Sequence, residues 1–152
     1  MRLLQHVLFY ILILSFYSCS STSEEMDPIL PGPENKVKVK GKVESIKGGS
    51  LMAQSGTNTK GSIDLVFDEA GNYFLHLGED FMSEFYTGTV TVYLSTSKQL
   101  SLSESGTFQL VSVVNESGEH FFPLPSLPES KFNYGIIWCG AAGIPFGYGD
   151  LN

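Results

Sequence analysis

From Lys36 onward the chain alternates apolar and polar residues in short runs, a period of two that predicts strands rather than helices. "KVKVKGKVESI" sets Val37, Val39 and, across Gly41, Val43 against lysines, which predicts a strand with one wet face. "GSIDLVF" alternates Ile63, Leu65 and Phe67; "DEAGN" (Asp68 to Asn72) then reads as a hairpin turn, and "NYFLHL" leads out of it. "TGTVTVYLST" puts Val90, Val92 and Leu94 on one face and Thr89, Thr91 and Tyr93 on the other. "GTFQLVSVV" and "EHFFPL" are two more strands around the turn "NESGE", and "YGIIWC" and "GIPFGYG" close the series. "YGIIWC" is apolar at nearly every position, which fits a central strand covered on both faces. Only "GEDFMSEFYTG" leaves room for one or two helical turns. Short strands at this spacing, with Gly, Asn and Pro between them, predict an all-β fold: a single antiparallel β-sandwich or barrel-like domain.

The N-terminal region is patterned differently. Arg2 is followed by an apolar run from Val7 to Tyr17 and then by small residues around Cys19. That layout belongs to a secretory signal, and the run is shorter than the roughly 20 residues a spanning helix needs. "FYSC" resembles the lipobox of bacterial lipoproteins, with Phe16 where Leu is usual and a bulky Tyr17. The expectation is a lipoprotein signal peptide over 1–18 and lipidation of Cys19, with the lipid bilayer as partner. Several acyl chains on one cysteine anchor a protein where a single chain gives only marginal binding. Ser20 follows Cys19 in place of an aspartate, which favours an outer membrane. The acidic cluster Glu24, Glu25 and Asp27 resembles a surface-export signal, so the expected location is the periplasmic face or cell surface of a Gram-negative bacterium. Residues 19–35, rich in proline, serine and acids, cannot bury enough surface to fold and are expected to form a tether, with the β domain at 36–152.

Charge and cysteine count narrow the function classes. Sixteen acidic against nine basic residues give a net charge of −7, which argues against nucleic acid, where Lys and Arg must neutralise phosphates. The chain has two cysteines. Lipidation of Cys19 would leave Cys139 without a partner, so its thiol is either buried and inert, bound to something, or used in exchange.

"YGIIWCGAAGIPFGYGDLN" resembles the end of the DM-thirteen domain, in which an aliphatic-Trp-Cys strand precedes a short apolar segment with Phe-Gly. "GSIDLVFDEAGNYFLHLGEDFMSEFYTGTVTVYLST" is similar to that family's opening strand, hairpin, "L-x-x-DF" turn and "V-x-V-Y-L-S", and "SGTFQLV" to its middle strand. The match covers about 58–152, with Thr87-Gly88 where Gly-Pro is usual. The resemblance implies a role in electron transfer, through a cysteine acting as a bare thiol or as ligand to a prosthetic group such as haem. That cysteine corresponds to Cys139, and a redox protein would be its partner.

The residues themselves leave Cys139 open between two readings. Its neighbours Ile136, Ile137, Trp138, Gly140 and Ala141 supply neither a cation nor a helix N-terminus to activate a thiol, which favours an apolar filler. A prosthetic group would need a second ligand, for which His76, His120 and Met82 are candidates, with Met52 and Met26 behind them; each histidine also fits as an ordinary strand residue. No His-x-x-His or Cys-x-x-Cys spacing marks a metal site. Asp80 fits a turn cap, with Phe81 filling the core. No Gly-x-Ser-x-Gly motif supports hydrolysis, and an enzyme is the least supported class. Two readings stand: an electron-transfer module centred on Cys139, or a non-catalytic binding or structural lipoprotein with a buried thiol.

Overall fold

The computed structural model of the chain describes residues 37–152. The expected signal segment 1–18, the acylation site Cys19, the tether 19–35 and Met26 lie outside the described residues. The strands are β1 (Val43–Ala53), β2 (Ser62–Asp68), β3 (Tyr73–Leu77), β4 (Val90–Ser95), β5 (Phe108–Val114), β6 (His120–Leu124), β7 (Tyr134–Cys139) and β8 (Ile144–Asp150). They form one sheet in the order β5-β4-β7-β8-β1-β2-β3-β6, every pair antiparallel. The protein is all-β, and "GEDFMSEFYTG" carries no helix: Gly78 turns the chain, and Met82 makes a bridge to Lys60.

β1 joins the two halves of the sheet. Its Val43–Ser50 part pairs with β2, and Leu51–Ala53 pairs with β8. The handover falls between Ser50 and Leu51, just past Gly48 and Gly49, where a Cβ would collide with the Asp64 side chain and the Asp150 carbonyl respectively. Close backbone approach is a use glycine serves in a bent strand. The halves β1-β2-β3-β6 and β5-β4-β7-β8-β1 face each other across the core. Ile63 of β2 reaches over to Gly135 of β7 and Gly149 of β8. At the far edges β5 comes near β6 without pairing, which leaves the barrel-like sheet nearly closed.

The first expected strand is displaced. Val37 and Val39 alternate as a strand would, yet pairing begins only at Val43. Gly41 adopts φ +71, which turns the chain, and Lys40 is tied to the β2–β3 turn through Asp68 and Glu69. β7, by contrast, lies between β4 and β8 with Ile136 and Ile137 both fully buried.

Candidate functional site

The strand register brings one end of the barrel together. The C-terminal ends of β1, β3, β5 and β7 and the starts of β2, β4, β6 and β8 share it. Cys139 stands there at the last position of β7, opposite Val90 of β4 and Ile144 of β8. Strand alternation turns Trp138 outward, half-buried, and Cys139 inward, where it is fully buried in the core. The chain closes over the sulfur in the next turn. The Ala142 N–H points at Sγ at 3.4 Å, the Thr87 hydroxyl lies 3.7 Å away, and Gly143 N–H donates to the Cys139 carbonyl.

The other expected ligands divide by face. His120 pairs with Leu77 and faces inward at the same end as Cys139. Its ring stacks on Phe122 at 5.6 Å, meets Phe81 edge-on at 6.1 Å, and its Nε2 lies 3.0 Å from the Glu116 carbonyl. His76 faces outward and stacks on Phe121 at 4.3 Å. Its Nε2 is 3.0 Å from Glu119, and its Nδ1 is 3.8 Å from Asp64, so it links three strands. Met82 and Met52 are both exposed on the surface. None of these side chains touches Cys139. Among the described residues no three His, Cys, Asp or Glu side chains gather to hold a metal ion.

A prosthetic group on Cys139 does not fit this arrangement. Cys139 has no exposed surface, and a macrocycle on its sulfur would have to displace the core around Val90 and the Ala142 turn that closes over it. A cavity of about 460 Å³ lies elsewhere, between residues 37–38 and Asn72, Phe74 and Pro123, with no cysteine, histidine or methionine in its lining.

Two acids have structural tasks. Asp80 Oδ1 accepts the Ser62 N–H at 3.1 Å, fixing the start of β2 rather than its own turn, and Phe81 fills the core. Asp68 is buried in the β2–β3 turn and accepts from the Asn72 side chain and from the backbone N–H groups of Lys40, Ala70 and Asn72. The Asn72 side chain, with those N–H groups behind it, holds the carboxyl down at about 2.

Sequence reasoning missed the outer face of the half-sheet β5-β4-β7-β8-β1. Register aligns Leu110, Tyr93, Ile136, Tyr148 and Met52 in one row across five strands. Val113, Thr91, Trp138 and Pro145 form a row on one side, and Phe108, Ser95, Tyr134 and Asp150 a row on the other. The rings form two edge-on pairs on either side of Ile136: Tyr93 meets Phe108 at 5.9 Å, Tyr134 meets Tyr148 at 6.4 Å, and Ile136 is fully covered although it points outward. Leu110 and Met52 at the two ends are 50% and 45% exposed. Among these thirteen positions Asp150 is the one charged residue, with Lys98 over the Tyr148 ring at 5.8 Å. The period-2 alternation of "TVTVYL" did put Tyr93 on the face opposite Val90, Val92 and Leu94, and alternation in "YGIIWC" sets Trp138 and Cys139 on opposite faces without saying which is outward. Only the pairing of five strands shows that these positions converge.

In comparisons with known proteins, no family model, no curated protein and no solved structure matches the chain.

Proposed function

We propose that the chain is a non-catalytic binding module, held outside the cytoplasm on an outer membrane by acylated Cys19, in which Cys139 is a packing residue. The observation that carries this reading is the aromatic, charge-poor outer face of β5-β4-β7-β8-β1. An outward face of a sheet normally meets water with charged and polar residues. Tyr, Trp, Phe and Met concentrated there, with Lys and Glu depleted, is the composition of a surface that is covered by a partner. The burial of the Cys139 sulfur supports the second half of the proposal, since a buried thiol without a nearby cation is inert.

A second reading, electron transfer through the Cys139 thiol with a redox protein as partner, has the resemblance of 58–152 to the DM-thirteen domain behind it. One geometric feature bears on it: the Ala142 N–H and the Thr87 hydroxyl both approach Sγ, so the sulfur meets polar groups as well as the apolar core. Titration of the full chain with a thiol reagent, before and after denaturation, separates the two. A packing role is expected to give a thiol that reacts only on unfolding, in a protein without visible absorption. Rapid native reaction at Cys139, lost in Cys139→Ala, would overturn it in favour of redox exchange.

A further inference from the structure

We infer that the aromatic face binds a neutral polysaccharide, its chain lying across β4, β7 and β8. The inference rests on the binding reading above and gives it a ligand class. Three properties of the face point to this chemistry. The first is charge. The face carries almost none, and the chain as a whole is at −7, so an anionic ligand would be repelled and a cationic one would find a single carboxylate, Asp150. The second is the kind of contact on offer. Tyr93, Tyr134, Trp138 and Tyr148 supply half-buried rings with a negative quadrupole, together with hydroxyl and indole N–H tips, and the Lys98 ammonium lies 5.8 Å from the Tyr148 ring centre. Among the described residues the Tyr93 and Tyr134 hydroxyls and the Trp138 N–H have no hydrogen-bond partner, while Tyr148 O–H points to the Met52 sulfur at 3.8 Å. A pyranose matches such a surface because it has an apolar C–H face and a rim of hydroxyls. The third is size. Five strands and three rows span about 24 Å by 20 Å, on the order of 500 Å². A stable protein–protein interface takes about 800 Å² from each partner, so a second folded copy would lie only partly on this face. Tyr93 and Tyr148 lie two strands apart, about 10 Å. That separation suits sugar rings spaced along an extended chain and stacked in turn.

Trp138, the only tryptophan of the chain, lies in the middle strand of the face and reports on it directly. The test is tryptophan emission of the full chain in mild detergent, titrated with soluble β-glucan, xylan, mannan and amylose, and with alginate as an anionic control. A saturable blue shift with at least one neutral polysaccharide and none with alginate is expected. Tyr148→Ala and Tyr93→Ala are each expected to weaken it about tenfold, the loss of one stacked ring. Tyr86→Ala, which alters an aromatic residue 83% exposed on the loop after β3, should leave it unchanged. Unchanged emission with all four neutral polysaccharides overturns the ligand class. If emission then shifts with protein concentration alone, and sedimentation shows a dimer lost in Tyr148→Ala, the face binds a second copy and the binding reading survives. If neither response appears, that reading falls with the inference.

Discussion

Cys139 shows how far a single residue can be read. Its apolar neighbours in "GIIWCGAA" argued for burial, and alternation placed it opposite in face to Trp138. Both features follow from local pattern. Its enclosure by Ala142 and Thr87 was not legible, because it depends on the turn after β7 and on a loop 52 residues away. Asp68 was legible as a turn residue in "DEAGN" but not as a buried one, since the Lys40 N–H that completes its shell comes from the segment before β1. Its lowered pKa has a consequence for stability. A carboxyl at 3.8 when unfolded and about 2 when folded contributes stability that is fully present above pH 3.8 and is lost as pH falls toward 2. Asp68→Asn keeps the shape but presents an N–H₂ group to donors. The variant is therefore expected to be less stable than the parent at neutral pH, with the gap closing as pH falls through that window. Urea midpoints for both proteins across the acid range measure it; a gap independent of pH would show that the charge of Asp68 is not what matters.

At the scale of elements, strands that stay on one partner were legible and the strand that changes partners was not. β2 and β4 alternate in sequence because each keeps one face to the core, and β7 was legible instead as an apolar run, covered on both faces. β1 does not: "SIKGGSLMA" mixes faces because the strand moves from β2 to β8 after Ser50, and its bulge between Ser45 and Lys47 breaks the period. The packing between the two half-sheets is equally hidden in the sequence. Gly135 and Gly149 carry no such signal in the sequence, yet each is the floor on which Ile63 rests. A Cβ at position 135 would overlap Ile63 Cδ1. Gly135→Ala is expected to cost about 1–3 kcal/mol as overpacking. Ile63→Val removes Cδ1 at a cost of about 1 kcal/mol. If the collision is the cause, the double variant should be more stable than the sum of the two by about 1 kcal/mol, which a denaturation cycle detects. Strict additivity would place the cost of the alanine elsewhere.

For the whole molecule, the sheet order divides the barrel into unequal parts. The outer face of β2 and β3 carries Asp64 and His76, with Glu119 just before β6, whereas the face of β4, β7 and β8 carries rings. All-β architecture was visible in the periodicity, but this asymmetry needs the order of strands, and non-local pairing sets that order. The same order predicts a gradient of local stability. β7 has partners on both edges and buried residues on both faces; β5 is paired on one edge only, with Leu110 and Val113 exposed. Opening free energy follows buried contacts and paired backbone, so amides of Gly135–Ile137 are expected to exchange slowest. The amides of β5 that point away from β4 should exchange orders of magnitude faster, because no neighbouring strand accepts them. Native-state hydrogen exchange resolved by residue tests this. Equal protection on both edges of β5 would mean that its free edge is paired in solution, either by β6 closing the barrel or by a strand from another chain. A comparison of dilute and concentrated samples would separate these, since only pairing between chains strengthens with concentration.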